Sequence, residues 1–358
     1  MCLETGRSGK NVKILKKWQK ALLAFAYSFI ICNLLCMAYE SGPGGLYRDH
    51  GATSMIHKPN TYYVYGSEGY GVIRFDKNGY NNFDGELDRS YVLLMGSSQV
   101  EGVQISQKCH MTSVLNSLLG GTQENLKAYN IAVSANYLPE IIKGFQAGIK
   151  EFPDSSAVLI EVGSTTFSID ELEDSLDQIV YDSGSDGANL ERNLTMKQRV
   201  TGYIKQALPL AKLIVSVQLK DVDLLEGNPF GLLQVSSTPQ EKSAVDKKQY
   251  GKTLDDIFSL IRSEYDKPII IFYHPEVVLG SDGMAIIRDE DTYDIFINSC
   301  ERNGIIFADM GDAMSNAYET AYIVPYGFYN TEIGKGHLNA KGHEIIAQQL
   351  YQILVDLW

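Results

Sequence analysis

Five short apolar runs recur after residue 90, and the stretches between them carry the spacing of helices. The runs are YVLLM (91–95), AYNIAV (128–133), AVLIEV (157–162), PIIIFY (268–273) and GIIFADM (304–310). Helical spacing fills residues 108–118, 138–150, 245–264 and 291–303. A strand with one face in water alternates polar and apolar residues; these runs do not alternate, so both of their faces need cover. Such strands, separated by helices, make a parallel sheet between two helix layers. The chain closes on LNAKGHEIIAQQLYQILVDLW, where Asn339 is a good helix cap. Ile345, Ile346, Leu350, Ile353 and Leu354 then share one apolar face.

The amino terminus obeys a different logic. Residues 1–20 carry six basic side chains against Glu4 alone, a net charge of +5, and read as a basic cytoplasmic tail. Residues 21–39, ALLAFAYSFIICNLLCMAY, follow without a single charge. As a helix rising about 1.5 Å per residue, that length suffices for roughly 30 Å of hydrocarbon. Lysines before it place the amino terminus in the cytoplasm and the body outside. The alternative is a cleaved signal peptide, for which Cys36-Met37-Ala38 is a passable processing site. Residues 40–87 read as a linker and a small tyrosine-rich entry segment, and residues 88–358 as the α/β domain. Two long connections, 182–195 and 220–244, have the character of lids or binding loops. Asn193-Leu194-Thr195 matches a glycosylation acceptor in the first of them.

Charge excludes one class of partner. The whole chain is −13, so the part beyond residue 20 sums to −18 and should repel nucleic-acid phosphates. Of five cysteines, Cys109 and Cys300 lie in the body, and the spacing suits neither a metal nor an obvious disulfide. Both are expected as unpaired, buried thiols.

Ligands of an open parallel sheet bind where the strands end at their carboxyl termini. The first run stops abruptly at Gly96-Ser97-Ser98, the second at Ser134-Ala135-Asn136, the third at Gly163-Ser164-Thr165-Thr166 and the fourth at His274-Pro275. His337 stands just ahead of the Asn339 cap, while His343 falls inside the last helix. A hydroxyl is a poor nucleophile until an imidazole takes its proton, and the oxyanion formed needs donors. Ser98 and His337 are therefore the candidate pair. The loops beyond the other strands supply the rest of the site.

These two blocks, Gly96-Ser97-Ser98-Gln99-Val100 and His337-Leu338-Asn339-Ala340-Lys341-Gly342-His343, resemble those of the SGNH (GDSL-type) hydrolase superfamily. The likeness covers residues 88–358; the family's first-block serine aligns with Ser98 and its last-block histidine with His337. It implies a flavodoxin-like three-layer α/β/α sandwich around a parallel sheet of five strands, behind the transmembrane helix. It also implies an esterase, lipase, or acyltransferase or deacetylase of carbohydrates, working without a metal or organic cofactor. The oxyanion would rest on the N–H groups of Ser98 and Ala135, with Gly163 and the hydroxyl of Thr165 in the third loop and His274 lining the cleft.

Departures from the family pattern are equally definite. The family's last-block aspartate falls on Gly334, its second-block glycine on Ala135, and its third-block asparagine on Thr165. Neutralising the acid of a serine triad costs about 10⁴ in turnover. The site is thus a bare Ser98–His337 dyad, a triad completed by another carboxylate such as Glu332, or catalytically dead. The corresponding functions are an ester hydrolase or O-acyltransferase acting on an acylated cell-envelope glycan or polymer, or a non-catalytic glycan-binding or scaffold protein. By analogy of architecture, a multi-spanning membrane acyltransferase is the candidate partner of either. An unrelated α/β protein, in which Ser98 is only a turn residue, is the remaining alternative.

Overall fold

The computed structural model describes residues 6–41, 48–50, 54–121, 126–182, 210, 246–280 and 284–358. Apart from Asp182, the connections expected at 182–195 and 220–244 lie outside the described residues, as does the acceptor pattern at Asn193. Helix α1 spans Gly6–Tyr39, so the basic stretch from residue 6 onward and the apolar run are one helix. Its stretch Lys16–Tyr39 has 24 residues and holds an 18-residue window with a mean hydropathy of 2.1, long and apolar enough to cross a membrane. Almost none of that stretch is covered by the rest of the chain.

Two antiparallel pairs follow, β1 (Arg48–His50) with β2 (Ser54–Ile56) and β3 (Tyr62–Tyr65) with β4 (Gly71–Arg74). The central strands are β5 (Tyr91–Met95), β6 (Lys127–Asn130), β7 (Ser155–Val162) and β8 (Ile269–Tyr273). After a short hairpin of β9 (Val277–Leu279) and β10 (Ala285–Ile287), β11 (Ile306–Asp309) completes the sheet. Its order is β11-β8-β7-β5-β6 and every pairing is parallel. This is the flavodoxin-like order, in which the connections leaving the neighbouring strands β5 and β7 run to opposite faces of the sheet. The turn after β5 is therefore the topological switch point where a crevice must open.

The helices are α2 (Ser98–Glu101), α3 (Met111–Leu119), α4 (Leu138–Glu151), α5 (Ile169–Asp182), α6 (Lys247–Glu264), α7 (Tyr293–Arg302), α8 (Gly311–Ala321) and α9 (Ala340–Leu357). Alternate residues of each strand face opposite layers. Leu93, Val158, Ile160 and Ile271 pack on Phe145 of α4, Tyr250 and Phe258 of α6 and Phe296 of α7. Val92, Leu94, Leu159 and Ile270 pack on Leu115 of α3, Met314 of α8 and Ile346 and Leu350 of α9.

Two boundaries differ from the sequence reading for polar reasons. Strand β6 ends at Asn130, not residue 133, because the buried Asn130 side chain accepts from Ala132 N–H and donates to the Val100 carbonyl, turning the chain. Helix α3 begins at Met111, not 108, because a separate 3₁₀ turn occupies Gln107–Cys109 and His110 caps the helix. That turn leaves Cys109 exposed, whereas Cys300 is buried; both are free thiols.

His110 and His343 are buried with ring centroids 4.9 Å apart. His110 Nδ1 accepts from Thr112 N–H while Nε2–H donates to the Val100 carbonyl, and His343 Nδ1 accepts from Met111 N–H. Burial lowers the His110 pKa to about 4, against the opposing pull of that carbonyl and Glu101. Burial, then the neighbouring His110, His274 and His337, hold His343 well below its ordinary value. Both are neutral in the fold but take up protons near pH 6.5 when unfolded. Their contribution to stability is complete above pH 6.5 and is lost as the pH falls toward 4. Thermal melts should show Tm falling steadily from pH 7 to pH 5, with a shallower slope in His110→Gln.

Candidate active site

Strand β5 ends on glycine because two groups crowd that point. A Cβ on Gly96 would lie 2.7 Å from Val100 Cγ2 and 2.9 Å from the Cβ of Glu161 on β7. Ser97 then caps α2, its hydroxyl accepting from Gln99 N–H, and Ser98 becomes the first helical residue, half-buried with its hydroxyl outward. Ser98 Oγ lies 2.9 Å from His337 Nε2. The two residues are 239 positions apart in the chain and meet above the carboxyl ends of the strands.

The other ring nitrogen also has a partner. His337 Nδ1–H donates to Glu68 Oε2 at 2.6 Å, and the backbone N–H of His337 donates to Glu68 Oε1 at 2.8 Å. Glu68 sits at the tip of the β3–β4 hairpin, in the segment read from sequence as a linker and small entry segment. Burial alone would raise its pKa, but the hydrogen bonds and charge of His337 hold it below the usual carboxylate range. Glu332 does not fill this place. It is exposed and pairs with Lys335 Nζ at 2.6 Å, three residues along the same loop.

Gly336 makes room for this upstream acid. Its φ is +88°, and a Cβ there would lie 2.4 Å from Glu68 Oε1. Gln99 fixes the same loop from the other side, accepting from Leu338 N–H at 2.7 Å and donating to the Gly336 carbonyl.

A buried polar chain runs beneath the pair. Ser97 N–H donates to Glu161 Oε2 at 2.7 Å, and His274 Nε2–H donates to Glu161 Oε1 at 2.7 Å. His274 Nδ1 lies 2.9 Å from the Tyr326 hydroxyl, and Tyr326 bridges to Leu338 beside His337. Burial raises the Glu161 carboxyl, but the His274 and Ser97 hydrogen bonds outweigh it and keep the group ionised. His274 is therefore a buried strut under the cleft, not a cleft-lining side chain; its Cε1 lies just beneath Gly163, where an added Cβ would come within 3.3 Å.

The oxyanion donors expected from sequence divide in the same way. Thr165 is fully buried, and both its N–H and its hydroxyl bond to the Glu290 carboxylate, which also accepts from Ser164. A hydroxyl has one proton, so Thr165 is committed to holding the third loop together. The N–H groups of Ser98 and Ala135 donate to no protein acceptor among the described residues. The Ala135 loop is held by Glu101, at the end of α2, which accepts from both Ser134 N–H and Ser134 hydroxyl and pairs with His57 at 2.6 Å. Sequence reading missed Glu68, Gln99, Glu101 and Glu161. Only Gly336, a second glycine one residue before the histidine, hinted at a close approach from elsewhere.

Ala135 itself is in the left-handed region, φ +67°. That conformation costs an alanine about 1–2 kcal/mol, of which glycine's extra chain entropy returns up to about 1 kcal/mol. Ala135→Gly is expected to raise stability by up to about 1 kcal/mol in denaturant titration and to leave turnover intact, because the N–H is kept.

No family model and no curated protein matches the chain. Solved structures similar to it include an α/β hydrolase enzyme from the metagenome of Lake Arreo, Spain, at 15% identity, covering 74% of this chain and 94% of that one with a TM-score of 0.40. A catalytic mutant of an acetylxylan esterase from Geobacillus stearothermophilus aligns at 14% identity over 74% of this chain and 93% of its own, TM-score 0.39. A psychrotrophic esterase from Pseudoalteromonas sp., inhibited by monoethylphosphonate, aligns at 12% identity over 75% and 98%, TM-score 0.38.

Proposed function

We propose that this chain is an SGNH-type serine ester hydrolase or O-acyltransferase with Ser98 as nucleophile, His337 as base and Glu68 as orienting acid. One observation carries the reading: an unbroken line of contacts, Ser98 Oγ to His337 Nε2 at 2.9 Å and His337 Nδ1 to Glu68 at 2.6 Å. An ester carbonyl placed over Ser98 would be attacked by Oγ as the hydroxyl proton passes to Nε2. The electron pair of the carbonyl π bond moves to oxygen, and the N–H groups of Ser98 and Ala135 hold that oxyanion. On collapse the ester C–O bond breaks, and His337 returns its proton to the departing oxygen. The acyl group is left on Ser98. Water or a sugar hydroxyl then attacks the acyl-serine, gives its proton to His337, and Ser98 leaves with that proton restored. Glu68 stays ionised throughout, fixing the tautomer with the proton on Nδ1 and stabilising the imidazolium.

The substrate we propose is an acylated cell-envelope glycan or polymer. The support is α1, which would hold the body against the outer face of the cytoplasmic membrane as a single-pass anchor. Incubation with a fluorophosphonate probe, followed by mapping of the labelled peptide, tests the nucleophile. Labelling is expected at Ser98. Absence of labelling together with no hydrolysis of short acyl esters would overturn the reading and favour a glycan-binding role.

A further inference from the structure

The hairpin that delivers Glu68 is built onto the end of α1. Ser41, two residues beyond the helix, forms a β-bridge with Val64, with N–H to carbonyl bonds of 2.9 and 3.0 Å. Tyr70 hydroxyl donates to the Ala38 carbonyl at 2.9 Å, and Ser67 hydroxyl donates to the Glu40 carboxylate. Gly66 lies so close to Tyr39 that a Cβ there would come 2.3 Å from the Tyr39 carbonyl oxygen. On its other side the hairpin is clamped by Asn330, whose side chain bonds the Gly66 carbonyl and both the N–H and carbonyl of Gly69. The catalytic acid is thus held between the last turn of the apolar helix and the loop that carries His337.

Distance follows from this connection. Glu68 is two residues, at most about 7 Å of chain, from Gly66 and hence from the helix end. The headgroup layer on one face of a bilayer is about 5–8 Å deep. With Tyr39 at the edge of the hydrocarbon, Glu68 lies at the level of the headgroups, where a fully soluble substrate gains nothing from the placement.

A groove of about 560 Å³ opens on the same side. It is lined by Tyr70, Ile105, Ile323, Val324, Tyr322 and Tyr329, and Phe328 of its wall packs against Gly69 next to the acid. Tyr322 is 82% and Tyr329 85% exposed, an arrangement suited to the membrane interface, where tyrosine is enriched. Tyr70 joins groove and helix, since its ring lines the one and its hydroxyl bonds the other.

We infer that the ester acted on by Ser98 is carried on a membrane lipid, whose hydrocarbon part lies along this groove while its acylated headgroup reaches the serine. This rests on the serine-hydrolase reading and specifies its substrate class. The full-length protein, reconstituted in phosphatidylcholine vesicles, is tested on two fluorogenic acetyl esters of one phenol. One is tethered to a dioleoyl lipid in the same vesicles and the other to soluble polyethylene glycol. Anchoring alone raises the apparent rate on the lipid-borne ester, so the deciding comparison is the double variant Tyr322→Asp/Tyr329→Asp. It should lose at least fivefold in rate on the lipid-borne ester and nothing on the soluble one. Equal effects on both esters, or none on either, would overturn the lipid assignment while leaving the hydrolase reading standing. If the wild type hydrolyses neither ester and Ser98 takes no fluorophosphonate, both readings fall together.

Discussion

Glu68→Gln is expected to lower kcat by about 10⁴ with little change in KM, whereas Glu332→Gln leaves both unchanged. The carboxylate serves two donors at once, His337 N–H through Oε1 and His337 Nδ1–H through Oε2. A glutamine has one acceptor oxygen. If it faces the backbone N–H, its amide donates to Nδ1, forces the ring proton onto Nε2, and leaves no base for Ser98. If it faces Nδ1, the backbone donor meets an N–H and the loop must shift. Either arrangement also removes the charge that stabilises the imidazolium. Burst kinetics with p-nitrophenyl acetate separate acylation from later steps. Turnover within tenfold of wild type would show that Ser98 and His337 work as a dyad. The same experiment tests Glu332, whose carboxylate is occupied by Lys335 in solvent.

The largest loss of stability is expected from Glu161→Leu. Glu161 and His274 are each almost fully buried, and the carboxylate also accepts from Ser97 N–H. Removing one member of a buried, hydrogen-bonded pair strands the other, at about 3–5 kcal/mol. In a chain of this size that corresponds to a fall in Tm on the order of 10 °C. The damage should also reach the chemistry, because Ser97 caps the helix whose first residue is Ser98. Variant protein kept below its melting temperature should label more slowly with fluorophosphonate. A Tm within about 2 °C of wild type would mean that Leu fills the site and the pair adds no net stability. Acid acts on the same group: a carboxylate held below its unfolded value stabilises the fold above about pH 4, and that contribution disappears as the pH falls through the folded value.

The layered fold was readable in the chain because it depends on local composition. Unbroken apolar runs such as YVLLM require cover on both faces, and helical spacing between them supplies it. The placement of Ser98 and His337 was readable for the same reason, since one follows the first central strand and the other precedes the cap of the last helix. Roles assigned by nearness along the chain did not survive folding. Thr165 was taken as a free donor, yet Glu290, 125 residues away, claims it. Glu332 was one candidate to complete a triad, beside a bare dyad, yet its loop turns it outward to Lys335.

Glu68 lies 269 positions from its histidine, and no spacing within either segment could announce the contact. Composition and periodicity report which surfaces must be buried, so the residue pattern alone announces the sheet, its helix layers and the strand ends where a site can form. A catalytic contact depends on the direction of single side chains across a crevice, set by which backbone carbonyls, caps and hairpins pack together. That the carboxylate paired with His337 belongs to the β3–β4 hairpin, and that this hairpin is tied to the end of the apolar helix, emerged only in three dimensions.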